Sequence, residues 1–354
     1  MAHNINTYIG RQAAWHNLGI VTGKFMSSAE LLANEGFQYH VFKAQLQDGL
    51  GRKVDAWGTF RWNHVDKVAD KKDAATFLAT VGRDYTVIPH AKGFEQVDQL
   101  VQSVNGAHYE TAGVLGKGEK VWALASLNQS IRVGDDETKL YLMFTTSHDG
   151  TVGYQYKLVA ERVVCENTLQ LALNEKSKAS LSVRHTKNAK DRLAAIGKAL
   201  EGMSEQALSV EQKLNFLANR RMNREALTKI MDRLFPKRVD AETGETKETT
   251  RRDNVISEIL SIYEVNDGNA FPEQRGTAYN LLNAITNYVD HSRGSDDSRA
   301  ESAMFGSGDA FKAKALDLIM AASEKLDTVG LVRGTKQYSD QSVSLEGSGL
   351  AIRN

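Results

Sequence analysis

The stretch Lys139-Leu-Tyr-Leu-Met-Phe-Thr-Thr-Ser-His-Asp-Gly-Thr-Val-Gly-Tyr-Gln-Tyr-Lys-Leu-Val159 decides the fold class. Two runs rich in β-branched and aromatic residues, 139–146 and 151–159, flank Ser147-His-Asp-Gly150. Asp-Gly supplies the positive φ that a tight hairpin turn requires. The stretch therefore predicts an antiparallel hairpin. Upstream, the pattern repeats: Tyr109–Leu115 and Lys120–Leu127 are joined by Gly116-Lys-Gly-Glu119. Four strands in a row with short loops make a meander, which needs a helix or a second sheet to cover its apolar face.

Moving towards the N-terminus, residues 39–46 and 54–62 flank Asp48-Gly49, and 77–81 and 85–88 flank Gly82-Arg83-Asp84. These read as four further strands. A short helix is expected over 28–35. Ser27 and Glu30 have capping-box spacing, and Gly36 stands where a left-handed C-terminal cap is wanted. Phe94, Val97, Leu100, Val101 and Val104 have helical spacing and predict a helix over 93–104. Downstream of the hairpin, a helix is expected from about Ala160 to Asn174.

Beyond residue 187 the apolar period becomes helical. Leu193, Ile196 and Leu200 mark one helix. Leu214, Leu217, Leu227, Ile230, Met231 and Leu234 mark a long second one ending at Pro236. Further helices are expected around Val255–Tyr263, Tyr279–Val289 and Phe311–Ile319, with a polar loop over 239–250. The expected architecture is α+β: an antiparallel sheet with helices over 1–185, a helical region over 186–328, and a Gly/Ser-rich tail over 329–354.

Composition narrows the function classes. Of 354 residues, 41% are hydrophobic and 25% charged, which suits a globular chain and not a disordered one. No run approaches the roughly 20 apolar residues of a membrane span. One cysteine among 354 residues leaves no internal disulfide and suits a reducing, cytoplasmic setting. The 44 basic and 44 acidic residues cancel, yet residues 176–238 carry 15 Lys/Arg against 6 Asp/Glu. Such local asymmetry points to an anionic partner.

Several constellations bear on chemistry. His148 with Asp149, and Cys165 in Val-Val-Cys, invite an enzymatic reading, since a thiolate needs a neighbouring base. The turn explains His-Asp-Gly without catalysis, and a lone cysteine among valines is ordinarily a small core residue. We expect no enzyme. The histidines lack metal-ligand spacing, and Gly113-Val-Leu-Gly-Lys-Gly118 lacks the spacing and Lys-Ser/Thr ending of a phosphate loop, so neither metal nor cofactor is expected. Asp135-Asp136-Glu137 reads as a solvated acidic turn.

The remaining constellation is basic. Lys176, Lys178, Arg184, Lys187, Lys190 and Arg192 follow the sheet. Arg220, Arg221 and Arg224 form a second cluster, and Lys157 lies with Tyr154 and Tyr156 on the last hairpin strand. Cations that neutralise phosphates beside aromatic rings that stack on bases are the generic means of holding a single strand. These ten residues are the candidate nucleic-acid contacts.

Four segments resemble a known family: Ala14-Trp-His-Asn-Leu-Gly-Ile20; Val81-Gly-Arg-Asp-Tyr-Thr-Val-Ile88; Thr146-Ser-His-Asp-Gly150 with Arg162-Val-Val-Cys-Glu-Asn-Thr-Leu169; and Gly276-Thr-Ala-Tyr-Asn-Leu-Leu-Asn-Ala284 with Tyr288-Val-Asp-His291 and Phe305-Gly306. The chain resembles the phage/plasmid-like uncharacterised proteins of phages, prophages and plasmids. That resemblance implies a mobile-element origin in a bacterial host and carries no catalytic residue. The order helix 93–104, strands 109–159, helix from 160 is also similar to RecT/Erf-type single-strand annealing proteins, a likeness of topology alone. Together these give the expectation of a single-stranded DNA binding or annealing protein that acts as a homo-oligomer, a ring being the form the likeness implies, without membrane contact. The alternatives are a protein that inhibits a host defence or regulatory factor, and an enzyme acting on a nucleotide or nucleic acid through His148 and Asp149.

Overall fold

Strand alternation, helix caps and turn glycines account for most of the element boundaries seen in the computed structural model. It describes residues 5–10, 20–62, 75–162, 168–171, 182–189, 191, 193, 203–239, 246–247, 250–265, 271–295, 299, 302–303 and 306–326. In chain order the N-terminal part holds β1 Ile5–Gly10, β2 Ile20–Val21, α1 Ser28–Leu32, β3 His40–Gln47, β4 Lys53–Trp62, β5 Thr76–Val81 and α2 Ala91–Ser103. Then follow β6 His108–Leu115, β7 Lys120–Val133, β8 Asp136–Ser147, β9 Tyr154–Arg162, β10 Thr168–Leu171 and β11 Ser182–Val183. The C-terminal part holds α3 Met203–Ala218, α4 Arg224–Leu234, β12 Arg238–Val239, β13 Thr246–Lys247, α5 Thr250–Val265, α6 Ala278–Asn287 and α7 Ser307–Ser323. The fold is α+β, with antiparallel sheets in the N-terminal half and helices in the C-terminal half.

The main sheet has the order β10-β9-β8-β7-β6-β1-β2, with β11 pairing β9 beside β10. Every pair is antiparallel except β1–β2. A separate three-stranded sheet, β3-β4-β5, is antiparallel throughout. The period-two pattern sets which face is buried. Leu140, Leu142 and Phe144 on β8, and Tyr154, Tyr156, Leu158 and Ala160 on β9, all enter the main core. Their neighbours Tyr141, Met143 and Val159 form a small apolar row on the other face.

Helix α2 lies on the core face close to β8. A Cβ at Gly93 would come within 1.9 Å of the Phe144 ring, so the helix can seat only because that position lacks a side chain. The Tyr156 hydroxyl donates to Gly93 O at 3.2 Å, and the Tyr109 hydroxyl donates to Asp98 at 2.8 Å.

Helix α3 packs on β7, and α6 lies among α3, α5 and α7. Every residue of α6 from Ala278 to Thr286 is buried. Two side chains fasten this helical half to the β7–β8 hairpin: Tyr279 donates to Asp136 at 2.9 Å, and Gln274 Nε2 donates to Val133 O at 2.8 Å. Asp136 is fully buried as the first residue of β8, so the acidic triplet is solvated only at its flanks, Asp135 and Glu137. A second buried tie is the ion pair Lys312–Asp290, 2.7 Å, with both side chains 1% exposed.

Five expectations change. The segment after β9 is not a helix from Ala160: β9 continues to Arg162, and β10 returns antiparallel, pairing Leu169 with Ala160. The β-branched Val159 and Thr168 favour this extended pairing. The helix–strands–helix order behind the annealing-protein likeness is therefore not formed. Residues 85–88 are not a strand; Thr86 N donates to His185 O instead. The long helix over 214–234 is two helices. The chain breaks after Ala218, pairs Arg221 with Thr277, and restarts at Asn223, whose side chain caps Ala226 N. Gly36 is not a left-handed cap. It sits in a 3₁₀ turn, Glu35–Phe37, where a Cβ would strike Thr7. Finally, the loop over 239–250 contains the short β12–β13 pair. The Ser27–Glu30 capping box forms as expected, with both hydrogen bonds present. The helix expected around 193–200 and the tail 329–354 fall largely or wholly outside the described residues.

Candidate functional site

The His148 window and the Arg220–Arg224 cluster lie at opposite ends of the sheet. At one end, the loops 116–119 and 147–150 point at the inner face of the β3–β5 sheet. Thr59 donates to His148 O at 2.8 Å. Arg61 donates to Lys117 O at 2.9 Å, and its guanidinium lies 4.0 Å from the Tyr39 ring centre. The Tyr39 hydroxyl donates to Gly118 O, and Tyr85 donates to Ser147 O. Gly150 has φ +79°, as the Asp-Gly turn demands, and Asp149 accepts from Thr151 N at 2.8 Å.

His148 itself is fully buried between His90 and His185. The hydrogen bonds fix the tautomers. Phe37 O can only accept, so His90 Nε2 carries a proton and its Nδ1 a lone pair. His148 Nε2, 3.4 Å away, donates to that lone pair. Thr86 O likewise requires His185 Nδ1–H, which leaves Nε2 to accept from the Thr146 hydroxyl at 3.0 Å. His148 Nδ1 is a buried lone pair with no hydrogen-bond partner among the described residues. All three rings are neutral. Burial lowers His90 and His185 to about 4 and places His148 well below the ordinary histidine value, with its two neighbours adding repulsion.

This arrangement does not suit catalysis. A base must reach its substrate, and His148 presents no surface. Asp149 turns to Thr151 rather than to the imidazole. Cys165 lies outside the described residues. Among the described residues, no group of three or more His, Cys, Asp or Glu side chains could hold a metal ion. The burial of His148 is not visible in the turn signature, which speaks only for the backbone.

The six predicted cations among the described residues do not share one groove. Lys157 sits mid-strand and is paired with Asp309 at 2.9 Å. Arg184 and Lys187 are exposed beside the histidine end. Lys176, Lys178, Lys190 and Arg192 lie outside the described residues. Arg220, Arg221 and Arg224 do converge, at the other end of the sheet, in the break between α3 and α4.

That break is stapled to the start of α6. Met222 N donates to Gly276 O, and Ala278 N donates to Arg220 O, each at 2.8 Å. The staple brings in Arg275, which the sequence reading missed because it is 50 or more residues distant along the chain. Gly276 has φ +75°, and its missing Cβ would stand 4.0 Å from Arg221 Nη1. Arg221, Arg224 and Arg275 are exposed. Arg220 is half-buried with its guanidinium 4.6 Å from the Phe216 ring centre, and its Nε has no partner among the described residues. None of the four makes an ion pair with a described carboxylate. The nearest acid in sequence, Glu225, is paired with Lys229. The N-termini of α4 and α6 meet here and add partial positive charge.

A family model described as a domain of unknown function, DUF932, matches residues 77–344. The chain belongs to the DUF932 family. The match begins in β5 and covers the main-sheet meander, the histidine window and all the helices from α2 onward, so both ends of the sheet fall within it. Neither a curated protein nor a solved structure matches the chain. No described helix is long and apolar enough to cross a membrane.

Proposed function

We propose that this DUF932 chain binds single-stranded DNA, with phosphates held by Arg220, Arg221, Arg224 and Arg275. The observation that carries this reading is one stapled turn that brings four arginines together, none ion-paired to a described carboxylate. A guanidinium presents a planar fork of donors that matches phosphate oxygens, and an unpaired cluster draws a polyanion rather than an isolated carboxylate. Phe216 holds the Arg220 fork in place, which limits the entropy lost on binding. The family-like segments support a mobile-element origin, and we extend the proposal to self-assembly along the strand. The strand annealing suggested by topology loses its support with the missing helix.

Affinity of this kind is set by counterion release. Four phosphate contacts on a single strand give a slope of log K against log salt of about −3, at roughly −0.7 per contact. Anisotropy of a labelled oligonucleotide across a salt series measures it. Each Arg→Gln change at 221, 224 or 275 is expected to flatten the slope by about 0.7. Light scattering with and without the oligonucleotide reports assembly. No retention of the oligonucleotide at low salt, or an unchanged slope in Arg221→Gln/Arg224→Gln, would overturn the reading.

A further inference from the structure

The β3–β5 sheet has one face more than the core uses. Its inner face seats the two hairpin loops around His148. Its outer face carries Phe42 and Leu46 from β3, Phe60 and Trp62 from β4, and Phe77 from β5. None of these packs with the main core. They touch one another: Phe42 and Trp62 ring centres lie 4.2 Å apart, Phe42 and Phe60 5.5 Å, and Phe60 and Phe77 5.5 Å. His40 extends the row at 6.4 Å from Trp62. Phe77 is 43% exposed. Gly58 keeps the row level, because a Cβ there would meet Leu46, Phe60 and Phe77 within 3.0 Å.

We infer that this aromatic face is a stacking platform for the unpaired bases of a single-stranded nucleic acid. Size argues against a second copy of the chain. Strands of about eight residues at ~3.3 Å rise, three abreast at ~4.8 Å, present about 370 Å². That falls well short of the ~800 Å² per partner of a stable protein interface. Chemistry favours bases. The row is five rings with one leucine, half-exposed or exposed, and an aromatic surface is one on which any base can stack.

The platform rests on the nucleic-acid reading but does not share its residues. It lies beyond the Gly118 end of β7, whereas the arginines lie at the Val133 end. Fourteen residues of β7 separate the two, a span of about 45 Å. Stacking and phosphate neutralisation can therefore be tested apart.

The experiment is anisotropy of the full chain with labelled oligothymidine and with an abasic oligonucleotide of equal length, which keeps the phosphates and lacks the bases. Oligothymidine is expected to bind at least tenfold tighter, from roughly one to three kcal/mol per stacked base. Phe60→Ala/Phe77→Ala should bring the two ligands to equal affinity and leave abasic binding and the circular dichroism spectrum unchanged. Phe60→Leu/Phe77→Leu keeps the apolar surface without the rings and should lose the same preference. Equal binding of both ligands by the natural chain overturns the platform and leaves the arginine site standing. A preference for bases that survives the leucine changes also overturns it. A base preference that survives Arg221→Gln/Arg224→Gln but not the phenylalanine changes upholds the platform, and an unchanged salt slope in that arginine variant removes the arginine site. Failure to bind either oligonucleotide overturns both.

Discussion

The two ends of the main sheet are built on opposite electrostatic terms. At the β8–β9 turn, three imidazoles are buried, neutral and hydrogen-bonded in a defined tautomeric order. At the β7–β8 end, four arginines gather with no ion pair to a described carboxylate, three of them exposed. Titratable residues drew notice in both places, but the imidazoles are buried whereas three of the guanidiniums are exposed. The lesson is that a conspicuous residue type marks a site only when solvent can reach it. His148 is a joint between two sheets. The arginine turn, already conspicuous as a basic cluster in the sequence, is where no described carboxylate pairs with the charge.

The sharpest way to break this contrast is acid. The unfolded chain takes up protons on these histidines near pH 6.5, while the folded chain holds His90 and His185 to about 4 and His148 well below the ordinary histidine value. Stability is therefore full above pH 6.5 and falls as pH drops towards 4, by about 1.4 kcal/mol per pH unit for each histidine. Three acting together give a loss of about 4 kcal/mol per unit across that window. Urea melts at pH 7.5, 6 and 5 would show it, and a flat profile would mean that the cluster is not buried as described.

Removing the central imidazole sharpens the same point. His148→Leu leaves His90 Nδ1 without its donor and is expected to cost about 1–3 kcal/mol at pH 7.5. Because one titrating group is gone, the acid slope should fall by about a third. A variant with the parent slope would show that His148 does not titrate in the unfolding equilibrium.

Smaller effects belong to the arginine end. Gly276→Ala places a Cβ at φ +75° and is expected to cost about 1–2 kcal/mol. It should also loosen the staple that aligns Arg221 with Arg275, weakening oligonucleotide binding alongside the drop in melting temperature. Arg224→Gln is exposed and unpaired, and its change in stability should stay within about 0.5 kcal/mol. Its effect should appear in the salt slope alone, and a large shift in the urea midpoint would reveal a structural role.

Much of the fold was legible because local chemistry and tertiary context agree. The turn glycines 116, 118 and 150, the Ser27–Glu30 box and the helical spacing of α2, α5, α6 and α7 all state their own conformations. Misreadings arose where two conformations shared one pattern. The apolar run after Leu158 suits a helix or a paired strand, and only the open edge of β9 decides between them. The run from Leu214 to Leu234 keeps a helical period through its break, because α3 and α4 both bury leucines. Asn223 was the available sign of a restart. The candidate site was legible in part. Arg220, Arg221 and Arg224 are adjacent in sequence, whereas Arg275 joins them only through the pairing of Arg221 with Thr277. The aromatic row is visible as alternation in β3 and β4, but alternation does not say which face the core will claim.

The position of β1 has a practical consequence for shortening the chain. The family match starts at residue 77, inside β5. Yet β1 lies in the main sheet between β6 and β2, and β5 pairs with β4. A chain cut at 77 would expose the whole β6 edge and strip β5 of its only strand neighbour. Bare strand edges recruit other strands, so such a fragment should aggregate on expression, and the first strand has to be retained in any soluble version.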